Sequence, residues 1–227
     1  MSGYPGGKGA MGAAQHIINN MPPHETYVEL FLGMGAVMRT KRKARFSIGV
    51  EIDLEVLRNF EAPFEEIALF NQDALNWLAA RPNLTQDGEA LIYCDPPYLN
   101  TKTRQRYKHR FNEEQHRHLL RLIKDASAFV MISGYRSKLY DEELEDWQTY
   151  DFQATGRDGK SHTETLWMNY PPQERLHDYR FLGNNFRERE AISRRLKRNT
   201  RRIAQWPIQQ QYALMRSLGE AFREEDF

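Results

Sequence analysis

Asp95, Pro96, Pro97 and Tyr98 are four consecutive residues whose types and order could do chemistry. They follow Ala90–Cys94, a continuous apolar run of the kind that forms a strand covered on both faces. Two prolines in succession stiffen the backbone where such a strand ends, which in open α/β sheets is where ligands bind. Neither proline has an N–H, yet both carbonyls remain acceptors. The exocyclic amino group of a nucleobase donates two hydrogens. Asp95 can accept one, and a backbone carbonyl, that of Pro96, the other. An amino group gripped in this way keeps its lone pair directed at an incoming electrophile. The protein then contributes position and electrostatics, with no covalent intermediate. Tyr98 offers a ring on which a base taken out of a helix can stack. Taken alone, the four residues also read as a proline turn with Asp95 capping and Tyr98 in the core, so the decision rests on what precedes them.

Two segments upstream bear on that decision. The run Glu29-Leu30-Phe31-Leu32-Gly33-Met34-Gly35-Ala36 ends a first strand in a glycine turn, where the backbone can bend tightly and approach a ligand closely. Gly33-x-Gly35 lacks a third glycine in register, so it is no dinucleotide fingerprint, and no phosphate-binding Gly-x-x-x-x-Gly-Lys loop is present. The next strand ends in Glu51-Ile52-Asp53. A carboxylate there can accept both hydroxyls of a ribose, which is assigned to Glu51, while Asp53 reads as the cap of the following helix.

In this order the segments resemble the Dam-type DNA adenine-N6 methyltransferases of the group whose cofactor motifs precede Asp-Pro-Pro-Tyr. The resemblance covers roughly residues 4–170. It implies a Rossmann-like methyltransferase fold, S-adenosylmethionine as cofactor, and methyl transfer to adenine N6 in DNA. Tyr4-Pro5-Gly6-Gly7-Lys8 is similar to the family's aromatic-x-Gly-Gly-Lys motif, which implies cofactor contacts for Tyr4 and Lys8. Glu29, Phe31, Gly33 and Gly35 match the methionine-side motif, and Glu51 and Ile52 the segment flanking the ribose and adenine. Phe70-Asn71-Gln72-Asp73 is similar to the segment whose aspartate meets the cofactor's adenine; without the resemblance Asp73 reads as a helix N-cap. Asp95, Pro96, Pro97 and Tyr98 take the catalytic place, with Asp95 also adjoining the cofactor. The resemblance further implies that Glu164 and Asn169 shape the substrate side. One departure matters. The family usually carries a target-recognition domain between the ribose-binding strand and the Asp73-type segment, whereas here about twenty residues separate Glu51 from Asp73. Relaxed sequence specificity is the expectation.

DNA must then be held elsewhere. Lys102, Arg104, Arg106, Lys108 and Arg110 recur at alternate positions just after Tyr98, well placed for phosphates flanking an extruded base. A second stripe includes Arg187, Arg189, Arg194, Arg195, Lys197, Arg198, Arg201 and Arg202, of which Arg194, Arg195 and Arg198 are singled out for DNA. Glu188 and Glu190 would equally allow ordinary intrahelical pairs. Arg39–Arg45 reads as the basic end of a helix.

The elements that must position these residues alternate. Strands are expected at Tyr27–Leu32, Phe46–Glu51, Ile67–Phe70, Ala90–Cys94, Ala128–Ser133, Trp147–Gln153 and Glu164–Asn169. Helices are expected at Lys8–Asn19, Ala36–Lys43, Leu54–Phe60, Ala74–Ala80, Asn112–Ala126 and Lys138–Glu145. Asn112 and Gln115 make a capping-box start. Five alternating strands imply a parallel doubly wound sheet, and Gly156 and Asp158-Gly159 imply a final hairpin with an antiparallel edge. Residues 1–172 form the α/β methyltransferase domain, and 173–227 a basic helical tail.

Composition excludes several alternatives. With 227 residues, 40% of them apolar, the chain can bury a real core. A net charge of +1 leaves only local basic stripes to bind a polyanion. The lone Cys94 excludes an intramolecular disulfide, and it reads as an inert core residue rather than a nucleophile. No apolar run approaches the roughly 20 residues of a bilayer span, and a soluble cytoplasmic protein, monomeric by default, is expected. The seven histidines show no metal-ligand framework, and amino methylation needs no metal. Three rivals stand beside the adenine reading: cytosine-N4 methylation, RNA adenine methylation, and a DNA-binding protein with a degenerate methylase fold. Aspartate at position 95 favours adenine over cytosine, and intact Lys8, Gly33, Glu51, Asp95 and Tyr98 argue against decay.

Overall fold

The computed structural model describes residues 12–81, 90–99, 111–155 and 161–224. Strands and helices alternate from α1 (Ala13–Ile18) and β1 (Thr26–Leu30) through α2 (Ala36–Thr40), β2 (Phe46–Glu51), α3 (Leu54–Arg58) and β3 (Ile67–Asn71). They continue with α4 (Ala74–Ala79), β4 (Ala90–Cys94), α5 (Glu113–Lys124), β5 (Phe129–Gly134) and α6 (Lys138–Glu143). Two long strands follow, β6 (Gln148–Thr155) and β7 (Ser161–Met168), and then two helices, α7 (Phe186–Ala204) and α8 (Ile208–Glu224). The seven strands form one sheet in the order β3-β2-β1-β4-β5-β7-β6. Strands β1 to β5 are parallel, β7 runs antiparallel to β5, and β6 pairs antiparallel with β7. This is the expected Rossmann-like, mostly parallel sheet with an antiparallel C-terminal hairpin. Chain order reverses between β1 and β4, the switch point where a crevice opens beyond the carboxyl ends of the strands.

The sequence specifies the local starts. Asp53, Asp73, Asn112 and Ser137 each accept a backbone N–H from the first turn of α3, α4, α5 and α6, and Asn112 with Gln115 forms the full capping box. Strand β4 is fully buried, as its unbroken apolar run requires. Tyr27, Leu91, Tyr93 and Met131 point to one core, while Val28, Leu30, Ile92, Cys94, Val130 and Ile132 point to the other with Trp77 and Trp167. The sheet is therefore covered on both faces.

Two expectations need correction. Helix α2 ends at Thr40 rather than Lys43, because Lys41 turns inward: its ammonium lies 4.3 Å over the Tyr27 ring and donates to the Arg42 carbonyl. The tail becomes helical at Phe186, not near Gln173. Residues 173–181 instead pin themselves to the first unit. The His177 amide donates to the Met21 carbonyl, the Arg42 amide to buried Asp178, and the Arg180 guanidinium to both Asp178 and the Thr40 carbonyl. The first compact unit accordingly runs to Phe181, and Leu182–Phe227 makes a second. Among the described residues no helix is long and apolar enough to cross a membrane.

Candidate active site

Register decides which residues meet at the crevice. Leu30 of β1 lies opposite Val50 on one side and Cys94 on the other. Glu51, Phe31 and Asp95 therefore leave three adjacent strands at one level. Two strand spacings, roughly 10 Å, separate the backbones that carry the two carboxylates.

On the β2 side the carboxylate is fixed by the turn that it fixes in return. The Gly33 amide donates to Glu51 Oε2 at 2.8 Å and the Asp53 amide to Oε1 at 2.9 Å. Phe31, Gly33 and Gly35 all have left-handed φ values of 59°, 51° and 59°. For Phe31 that conformation is strained; for the glycines it is free. At Gly35 a Cβ would also approach Phe60 Cε2 to 2.4 Å. Each carboxylate oxygen has a second lone pair, so Glu51 can hold the turn and still accept hydroxyls. Beside it Ile52 is 41% exposed, an apolar side chain left at the sheet's edge. Asn71 donates to the Glu51 and Ile52 carbonyls, and Asp73 accepts the Asn76 amide as N-cap of α4. These residues provide a diol acceptor, an apolar face and a short carboxylate at two neighbouring strand ends, a set that fits a nucleoside.

On the β4 side the arrangement is a chain of hydroxyls. Cys94 pairs with Ile132, so Asp95 emerges beside Ser133 of β5. Ser133 Oγ donates to Asp95 Oδ1 at 2.8 Å, and Tyr93 OH lies 2.9 Å from the same Oγ. Sequence reasoning missed Ser133 altogether, since one serine inside an apolar strand carries no signal of its partner. Farther along the edge, Tyr98 OH donates to Glu164 Oε2 of β7 at 3.0 Å, and the Tyr98 ring meets Tyr135 edge-on at 4.7 Å. Burial pushes the Tyr98 and Tyr93 phenols well above their ordinary range, and the adjacent Asp95 charge adds to both. Both therefore keep their protons. Cys94 is buried and its thiol is raised, first by burial and then by Asp95, which suits an inert residue and not a nucleophile.

Aromatic rings join the two sides. Phe31 packs edge-on against Phe111 at 5.2 Å, Phe111 against His116 at 4.7 Å, and His116 Nδ1 lies 2.8 Å from Tyr140 OH. Burial lowers the His116 pKa to about 4, an effect that the nearby Pro97 backbone partly offsets. A neutral imidazole thus sits behind the two prolines.

Asn169 does not take the place that the resemblance implies for it, and the hydrogen bonds of Glu29 are made within the protein. Glu29 is buried on the first core face, where its Oε2 accepts from Tyr27 OH and the Met38 amide. Burial raises its carboxyl to about 8. It ties β1 to α2. Asn169 accepts from the Val130 amide and donates to the Ala128 carbonyl, at the start of β5 and so at the opposite end of the sheet from Asp95. Antiparallel β7 carries its last residues away from the crevice, and only its Glu164 end reaches it.

Tyr4, Lys8, Lys102, Arg104, Arg106, Lys108 and Arg110, and the turn residues Gly156, Asp158 and Gly159, lie outside the described residues. In the second unit Arg194, Arg195 and Arg198 are exposed on α7; Arg194 pairs with Glu190 at 3.1 Å, while Glu188 accepts the Asn184 amide at the helix start. No group of three potential metal ligands occurs among the described residues.

No protein-family model matches the chain, and no curated protein matches it in sequence. Several solved structures are similar to it in fold. The precorrin 8w decarboxylase of Methanobacterium thermoautotrophicum is 14% identical, with a TM-score of 0.47 over 73% of this chain and 91% of that one. An S-adenosylmethionine-dependent methyltransferase of Anabaena variabilis is 12% identical, with a TM-score of 0.43 over 66% of this chain and 76% of that one. The magnesium protoporphyrin IX methyltransferase of Synechocystis is 13% identical, with a TM-score of 0.40 over 70% and 76% of the two chains.

Proposed function

We propose that this chain is a Dam-type enzyme that transfers a methyl group from S-adenosylmethionine to the N6 amino group of adenine in DNA, with relaxed sequence specificity. One observation carries the reading. Glu51 and Asp95, one carboxylate suited to a ribose and one to an amino group, flank the left-handed glycine turn at a single level of the crevice. When bound, the cofactor would supply an electrophilic methyl group on a sulfonium, whose S–C bond breaks as a neutral thioether leaves. The chain supplies the rest. Glu51 accepts the ribose hydroxyls, Ile52 covers the cofactor's adenine, and Asp73 serves that ring's edge. Asp95 and the Pro96 carbonyl accept the two amino hydrogens of the target base, which leaves the nitrogen lone pair free to form the new N–C bond. Asp95 also receives the proton that the methylated nitrogen sheds. Tyr98, steadied by Glu164 and Tyr135, gives the base a surface to lie against. The basic residues 102–110 and α7 hold phosphates.

The test is to incubate the protein with methyl-labelled cofactor and separate DNA and RNA pools, then digest and identify the labelled nucleoside. N6-methyldeoxyadenosine is the expected product. Label in N4-methylcytosine or in RNA adenosine would replace this reading with another transferase, and no label at all would refute methyl transfer.

A further inference from the structure

Ser133 is the only hydroxyl-bearing residue in β5, preceded by four apolar residues, followed by Gly134 and wholly shielded from solvent. A buried hydroxyl costs stability unless its hydrogen bonds are made, so its partners carry information. Ser133 Oγ has a single proton and three neighbours: Asp95 Oδ1 at 2.8 Å, Tyr93 OH at 2.9 Å and the Cys94 carbonyl at 3.5 Å. The proton goes to the nearer and charged acceptor, so Tyr93 must donate into Ser133. The result is a directed chain, Tyr93 O–H to Ser133 O–H to Asp95, in which each donation polarises the next. A carboxylate on one χ2 torsion can rotate broadly. Holding Oδ1 from below sets the plane of the whole group.

We infer that Ser133 is a positioning residue for Asp95: with Tyr93 behind it, its hydroxyl fixes the rotation of the carboxylate, so that the same group presents its acceptor geometry to the amino group of the target base. The role rests on the function proposed above. It also makes a claim independent of turnover, because a hydrogen bond to a carboxylate favours the ionised form. Removing the donor must raise the pKa of Asp95. Among the described residues, the titratable groups that share its field are Glu29, Tyr93, Cys94, Tyr98 and Tyr140, with Glu164 across Tyr98. The phenols and the thiol stay protonated, Glu29 titrates at about 8, and none of the five contributes a transition in the ordinary aspartate range.

The experiment uses the full chain with its aspartate carboxyls labelled with carbon-13, and Asp95→Asn to identify the resonance. In Ser133→Ala the Asp95 midpoint should rise by about one pH unit. The kcat on DNA should fall on the order of 10- to 100-fold, with the KM for cofactor nearly constant. Ser133→Thr, which keeps the hydroxyl, should restore the midpoint and most of the rate. Tyr93→Phe, a nearly isosteric change, should move both in the same direction by less, and it carries the test if Ser133→Ala does not fold. An unmoved midpoint, or a rate unchanged in the alanine variant, would overturn the positioning role alone. A wild-type protein that makes no N6-methyladenine would instead remove the functional reading, whatever the titration shows.

Discussion

The crevice edge of the sheet and the second helical unit handle charge in opposite ways. At the edge, the Glu51 carboxylate is buried and held by two backbone amides, and Asp95 by a buried hydroxyl. On α7, Arg195, Lys197, Arg198, Arg201 and Arg202 stand in solvent, and the pair Arg194–Glu190 is an exposed i,i+4 ion pair of the kind worth little. Fixed geometry suits a reaction in which atoms must align, whereas a diffuse positive field suits a phosphate backbone that offers the same charge at every step. The edge should therefore be intolerant of single substitutions and the tail tolerant of them.

Asp95→Ala should break that contrast most sharply if it is wrong. Turnover should drop by roughly 10³-fold or more while calorimetric affinity for the cofactor changes only a few-fold. Glu51→Gln should do the reverse. It should weaken cofactor affinity by about 10- to 100-fold, since an amide cannot accept from both Gly33 and Asp53 and still serve a diol. A thermal melt on the same sample separates lost affinity from a loosened turn.

Acid should separate the two units. Burial lowers the His24 pKa to about 2 and the His116 pKa to about 4, below the ordinary imidazole value near 6.5. Below pH 6.5 each imidazole binds fewer protons in the folded state than in the unfolded one, and its contribution to stability falls by on the order of 2 kcal/mol by pH 5. Buried Glu29, its carboxyl raised to about 8, works the other way: it binds more protons folded than unfolded and regains about what one imidazole loses, so the net loss is on the order of 2 kcal/mol. Residues 182–227 contain no histidine. Melting followed by circular dichroism should show the α/β unit losing stability between pH 6.5 and 5 while the tail's helical signal holds.

The smallest effect should come from the tail. Deleting residues from Arg187 onward should weaken DNA binding by about tenfold at low salt and flatten its salt dependence, by close to one unit of slope for each phosphate that the tail had neutralised. Cofactor affinity should not move. An unchanged salt slope would remove the tail from DNA binding.

Much of the fold is legible in the residues themselves. Unbroken apolar runs mark the parallel strands, Asp53, Asp73 and Asn112 announce their helices as caps, and Asp95 stands out because two prolines follow it. These signals are local. What escapes them depends on register and direction. Ser133 matters only because Cys94 lies opposite Ile132, a pairing between residues far apart in sequence. Asn169 belongs with the site by resemblance, yet β7 runs away from it, and strand alternation turns Glu29 toward Tyr27 and Met38. The end of α2 and the start of α7 depart from expectation for a similar reason. The interactions of Lys41, His177 and Arg180 override helical propensity there, and they involve partners more than a hundred residues apart in sequence.

A crystal structure of the protein with S-adenosylhomocysteine and an adenine-containing oligonucleotide tests the central claim most directly. The account predicts an extruded adenine whose N6 lies within about 3 Å of both an Asp95 oxygen and the Pro96 carbonyl, with the ribose of the cofactor product on Glu51. A base bound elsewhere, or an Asp95 side chain turned away from the amino group, would contradict it.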